Sequence, residues 1–331
     1  MNKLVFLKLI SELKYRFLQG YSRVEGRKKH LIIGLIGIVF LASCNKTEDI
    51  LIPNNTPPDY KSVPTIKVEN YVNRAFIDLL GREPTEVERM QYTNYLKLHE
   101  LSMASRDTML RELVFDANYR VGDSSYNHAC FQRIYDLSKA RFLEGASDGD
   151  IGQQIGILEF SITLSRLNGD SVGVYAAKDA QKRFRDILES RWKYRLGIIS
   201  YGEMCAYMIN NPIYDQINMN SFNFVNASFD DLFQRQPVKD EFNAAYDIID
   251  KNIPRQIFGK WAANKNEYLS VLTNTAEFYE AQIRWMYYVL LQREANTQEV
   301  INLFGNYSRT KNLQDVQIQI IKTDEYAQFR R

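Results

Sequence analysis

Apolar residues recur along this chain at steps of three and four, and strand-like alternation is scarce, so the pattern predicts a mostly α-helical protein. The pattern is clearest where it repeats. With Arg82, Arg235 and Arg293 as origins, Val72, Val225 and Ile283 stand ten residues earlier, and Phe76, Phe229 and Tyr287 six earlier. Leu79, Leu232 and Leu290 stand three earlier, and Leu80, Phe233 and Leu291 two earlier. These offsets line one face of a helix. Glu88, Glu241 and Glu299 follow the arginines by six.

The residues between are those of a helix corner. Gly81 or Gln292 ends a helix, and Pro84 or Pro237 suits the turn before the next. Thr85 with Glu88, and Asn296 with Glu299, are spaced as capping boxes, whereas Val238 leaves the middle unit without a cap. Arginine near a helix C-terminus and glutamate in the next first turn both sit well in the helix dipole. Arg82–Glu88, Arg235–Glu241 and Arg293–Glu299 are therefore predicted to pair as structural corners rather than to serve as anion sites.

A second apolar helix follows in each unit, announced by Ser105, by Asn264 with Glu267, and by Asn312. An aromatic then follows an aliphatic by six: Leu113 to Tyr119, Leu272 to Phe278, Ile320 to Tyr326. Residues 68–120, 222–279 and 280–331 read as three helical repeat units. Residues 121–221 read as a fourth, degenerate unit with an insertion. It holds helices over 131–144, 150–167 and 176–196, the last with Lys178, Lys182, Arg183 and Arg185 on an exposed face. A closing helix over 202–214 repeats the six-residue step from Met208 to Tyr214. The expected architecture is all-α, a tandem array of three to four small helical bundles.

"LLGREP" followed by acidic residues, with a closing aliphatic-to-aromatic helix, resembles a helical repeat of unknown function found in many bacterial surface and secreted proteins, itself distantly similar to the phycobilisome linker domain. The resemblance covers residues 68–120, 222–279 and 280–330, more loosely in the middle unit, where Gln236 replaces Glu83. It implies a helical fold with a scaffolding or recognition role, and it supplies no catalytic residues.

The N-terminus reads as an address. Arg27-Lys28-Lys29-His30 precede an apolar run from Leu31 to Leu41, which is shorter than the about 20 residues a membrane span needs. Leu41-Ala42-Ser43-Cys44 resembles the lipobox of bacterial lipoproteins. That likeness implies cleavage of a 1–43 signal peptide and acylation of Cys44, with two or more chains giving stable anchoring. No aspartate follows Cys44 directly, so the outer membrane is expected. Lys46-Thr47-Glu48-Asp49 is similar to the surface-export signal of Bacteroidetes lipoproteins, with Thr47 interrupting it. The periplasmic face and the cell surface both stay open. The segment before the apolar run is long and fits a start site placed too early. Pro53, Pro57, Pro58 and Pro64 make residues 44–67 an extended tether, able to hold a domain some 50 Å from the bilayer.

Charge then changes the picture of partners. Residues 1–44 hold eight of the 42 Lys/Arg and two of the 40 Asp/Glu, so the rest carries 34 against 38, a net of −4. Without basic runs this excludes a nucleic-acid partner. Of the three histidines, His99 and His128 follow the signal and stand alone without metal-ligand spacing. Asp148-Gly149-Asp150 lacks the further ligands of a calcium loop and reads as a capping turn. No motif calls for a metal or cofactor. Cys130 and Cys205 can form a disulfide across the insertion, in a compartment that permits one, or stand as two buried thiols.

The functional expectation is a non-enzymatic, lipid-anchored outer-membrane scaffold or accessory subunit. It meets the membrane through Cys44 and docks an envelope protein of a secretion, gliding or uptake machine. The alternative is a surface glycan-binding lipoprotein, with exposed Tyr or Trp beside Asp or Asn on a concave face. The anchor is directly testable. Cells fed labelled palmitate should label the full chain, and Cys44→Ala should remove both label and membrane retention. Equal labelling of the two would contradict it.

Overall fold

In a computed structural model, Tyr60 and residues 62–329 are described. The signal segment 1–43, Cys44 and the tether up to residue 59 lie outside the described residues. The described chain forms one compact unit. It is all-α apart from one short antiparallel hairpin, β1 (Arg255–Ile257) with β2 (Lys260–Ala262), registered Arg255 to Ala262.

Three helices carry the repeated face: α1 (Thr65–Leu80), α9 (Ser221–Phe233) and α12 (Ala276–Leu291). Val72, Phe76, Leu79, Val225, Phe229, Leu232 and Ile283 are wholly buried, and Tyr287 and Leu290 nearly so. Each helix ends on a left-handed residue, Gly81, Gln234 or Gln292. Glycine adopts that conformation freely, whereas each glutamine costs about 1 kcal/mol there. The next helices are α2 (Glu86–Leu98), α10 (Lys239–Lys251) and α13 (Thr297–Thr310). Thr85 and Asn296 start theirs with full capping boxes. Val238 can give only half of one: its N–H donates to Glu241 at 2.9 Å, and no side chain caps in return.

The first unit differs from the sequence reading at two points. The helix expected after Ser105 is α3 (Met103–Phe115), and its cap is Ser102, whose hydroxyl accepts from the Ser105 N–H. Tyr119 is not the closing aromatic of the first unit, being 79% exposed. An Asp116 turn, in which the carboxylate accepts from the Asn118 N–H, and a bridge between Arg120 and Ser124 carry residues 116–124 outward. The buried place falls to Tyr126, at the start of α4 (Tyr126–Phe142), just as Phe278 fills it at the start of α12.

The degenerate unit opens with α4 and turns at Glu144 and Gly145, both left-handed. It then sends out a long helical hairpin, α5 (Asp148–Leu167) and α6 (Ser171–Arg195). The closing helix expected over 202–214 is two helices, α7 (Tyr201–Ile209) and α8 (Pro212–Asn218), because Asn211 caps a new start with proline in first position. The remaining helices are α11 (Lys265–Leu272), α14 (Leu313–Ile321) and α15 (Asp324–Ala327).

The units do not form separate bundles in a row; they share one core. The buried Tyr214 hydroxyl donates to Asp231 of α9 at 2.7 Å. The Tyr326 hydroxyl donates likewise to Asp78 of α1 at 2.7 Å, joining the last unit to the first. Both aspartates stand four residues before a corner arginine. The partnership repeats elsewhere: α14 packs on α3 as α7 packs on α11. The described chain therefore closes on itself, with the last unit against the first.

The seam between its ends is dense. Fully buried Arg106 donates to Asp324 at 2.7 Å and to the Tyr60 hydroxyl at 3.1 Å, between the rings of Tyr60 and Phe329. Lys322 meets Asp107 at 3.1 Å, and Tyr71 packs on Tyr326 and Phe329. The expected tether thus ends by Tyr60 rather than at residue 67, since that tyrosine has a buried surface to dock on. Urea unfolding provides a check. Tyr326→Ala should cost about 3–5 kcal/mol as a large buried truncation, and Tyr119→Ala less than about 0.5 kcal/mol as a surface change. Equal small losses would refute the closure.

Candidate functional site

The three predicted pairs form, each bidentate. Arg82 donates to Glu88 at 2.8 and 2.9 Å, Arg235 to Glu241 at 2.7 and 2.8 Å, and Arg293 to Glu299 at 2.7 and 2.9 Å. Each guanidinium lies over the aromatic six residues before it, 5.1–5.3 Å from Phe76, Phe229 or Tyr287. Each also holds a second carboxylate: Asp123 for Arg82, Glu277 for Arg235, and Glu325 for Arg293. Sequence reasoning missed these second partners. The signal was present in Thr275-Ala276-Glu277-Phe278 and Thr323-Asp324-Glu325-Tyr326, a cap and a glutamate just ahead of the closing aromatic. With two carboxylates on each guanidinium, none of the corners has a donor set free for an external anion.

The corners fix the local titration. Burial opposes ionisation of Glu88, but Arg82, the Thr85 N–H and the Tyr126 hydroxyl outweigh it and hold the group at about 2. Arg235 and Arg293 hold Glu241 and Glu299 below the usual carboxylate range, and Arg293 does the same for Glu325. Burial pushes Asp78 and Asp231 the other way, against their tyrosine hydrogen bonds. A lowered folded value stabilises fully above the unfolded value and is lost as pH falls through the folded one. The Glu88 contribution is thus complete above 4.5 and gone near 2. Acidification over that window should lower stability in urea, and Glu88→Gln should flatten the fall. An unchanged slope would contradict the assignment.

The degenerate unit has no corner arginine. Asp148, in the first turn of α5, instead accepts from the Tyr135 hydroxyl at 2.8 Å and Lys139 at 2.5 Å, with Arg191 of α6 at 3.4 Å. Asp150 completes a capping box with Ser147, so Asp148-Gly149-Asp150 is a helix start. Among the described residues no group of three or more His, Cys, Asp or Glu could hold a metal ion. His99 stacks on Tyr95 at the surface, and His128 lies half-buried at the first turn of α4. Cys130 and Cys205 are free buried thiols, not a disulfide. Each is packed within the core on a different helix, and burial pushes each up to about 12, so neither supplies a thiolate.

The insertion shapes a concave surface. Three shallow depressions, of about 330, 450 and 300 Å³, open around α6: the first between α6, α7 and α11, the second beside the C-terminal ends of α6 and α13, and the third between α6, α8, α9 and the start of α11. Glu203 is shared by the first two, and Arg183 by the first and third. Gly202 lets α7 close against α11 here, since an added Cβ would stand 2.7 Å from the Thr273 carbonyl. The walls present Tyr207, Asn210 and Asn266 among paired charges. Arg183 meets Asp179 at 2.6 Å and Asn210 at 3.4 Å, and Lys182 meets Asp186 at 2.5 Å. Of the basic face expected on α6, Lys182 and Arg183 are thus paired along their own helix. Lys265, pulled down by burial against the pull of Asp215, lies over the Phe224 ring in the third depression. The depressions offer hydrogen bonds and scattered aromatic faces, with the charges of the first already paired. That suits recognition of an extended chain. No family model, curated protein or solved structure matches this sequence.

Proposed function

We propose that this chain is a lipid-anchored helical-repeat scaffold of the bacterial outer membrane that docks another envelope protein and performs no reaction itself. The observation that carries the reading is the group of adjoining depressions around α6. They are shallow, lined in part by the least stereotyped stretch of the chain, and set on a closed body whose arginine corners are spent on structure. The lipobox at Cys44 and the proline-rich tether support placing that body outside the inner membrane, within reach of envelope partners. The closing of the C-terminal segment on Tyr60 supports a rigid body hung from one point. The ligand is an extended polar segment, because the depressions are shallow and the charges around Arg183 and Lys182 are paired.

One feature favours a second reading. Tyr207 stands beside Asp179, Asn210 and Asn266 in a concave surface, the arrangement that stacks and hydrogen-bonds a sugar ring. A photoreactive phenylalanine replacing Tyr207 in the full chain separates the two. Illumination of whole cells should give a covalent adduct with an envelope protein. Absence of such an adduct, together with polysaccharide binding that Tyr207→Ala abolishes, would overturn the scaffold reading in favour of the glycan.

A further inference from the structure

The second depression, of about 450 Å³, differs from the first in its charge. It lies where α3, α4 and the ends of α6 and α13 meet the start of α14. Much of its wall is apolar. Phe115 is 43% exposed and Ile198 59%, and Phe131 meets the Tyr194 ring edge-on at 5.0 Å.

The polar groups set in that wall do not cancel. Along α6 most cations find a carboxylate four residues away: Arg183 meets Asp179 at 2.6 Å, and Lys193 meets Glu189 at 2.8 Å. Arg195 has Arg191 four residues before it and Trp192 three before. It is half-buried, yet among the described residues its side chain makes no ion pair and no hydrogen bond. Glu203 is the one carboxylate among the described residues that line the depression, and it is turned back on its own helix start. It accepts from the Ser200 N–H at 2.7 Å and from the Ser200 hydroxyl at 2.8 Å. Lys311, at the rim, is held by the neutral Asn274 at 2.9 Å and adds to the positive charge. The field reaches the neighbouring helix: burial first, and then Arg195 and Arg191, push His128 down. Beneath the depression Gln314 is 2% exposed. Its oxygen accepts from the Tyr194 hydroxyl at 2.9 Å, and its amide nitrogen finds no acceptor among the described residues. A guanidinium and an amide withdrawn from water without acceptors are both costly.

We propose that this depression seats an acidic side chain of the docked partner, with its carboxylate on Arg195 and its methylene stem along Phe115 and Ile198. The proposal rests on the reading of the chain as a scaffold for an extended segment, and it names the residue that anchors that segment. A carboxylate matches the fork of one guanidinium. A phosphate would bring more charge than one free arginine answers, and would leave the apolar wall unused.

The test uses the full chain in cells, with a photoreactive phenylalanine in place of Phe115. Illumination should give an adduct with an envelope protein, mapped to a segment that holds an aspartate or glutamate. Arg195→Glu should lower its yield about tenfold or more, as loss of a charge partner does. Reversing the partner's acid to arginine should then restore it, which it could not do for a variant that had failed to fold. An unchanged yield with Arg195→Glu, or a loss that the reversal does not restore, overturns the proposal. So does a mapped segment without an acid, or an adduct with lipid or polysaccharide. No adduct from Phe115 while position 207 still gives one removes this seat and leaves the scaffold reading standing. No adduct from either position removes both.

Discussion

The structure depends on the arginine that stands at each corner. A guanidinium has a planar fork that two carboxylates can share, and here it also rests on an aromatic face from its own helix. One residue thereby ties a helix end, the next helix start and the approach of a closing segment: Glu88 and Asp123 at the first corner, Glu241 and Glu277 at the second, Glu299 and Glu325 at the third. Each is about one-third exposed, so water weakens the attraction and the geometry matters more than the energy of any one pair. The corner sets the angle at which the next apolar helix enters the core.

Closure follows from the same units. Each opening helix presents a buried surface that one aromatic from a closing segment must fill. Tyr126 and Phe278 do this from the first turn of the next opening helix. Tyr214 and Tyr326 do it from short closing helices, reaching Asp231 and Asp78. Among the described residues the first unit takes its partner from the last. This is how a repeat chain of modest length buries its terminal faces without dedicated caps. The insertion of α5 and α6 interrupts the scheme where it can do so at least cost, in the unit that lacks the arginine.

Much of this was legible in the sequence. The opening faces, the three Arg–Glu pairs and the two full capping boxes are local, fixed by spacings of three, four and six. The second carboxylates, the replacement of Tyr119 by Tyr126 and the seam at Arg106 are not local. They depend on loop lengths and on which distant segments meet, and periodicity carries no such information. That Arg195 has no carboxylate three or four residues before it was readable as residues, but it acquires meaning only once the fold shows the depression it lines.

The claim that holds the account together is that the last unit packs on the first. Lys67 and the Gln328 carbonyl lie 3.0 Å apart across that seam. A chain carrying Lys67→Cys and Gln328→Cys, treated with a short bismaleimide, should give an internally linked monomer that migrates faster on a denaturing gel. Linkage only between molecules, or none, would mean that the array is open.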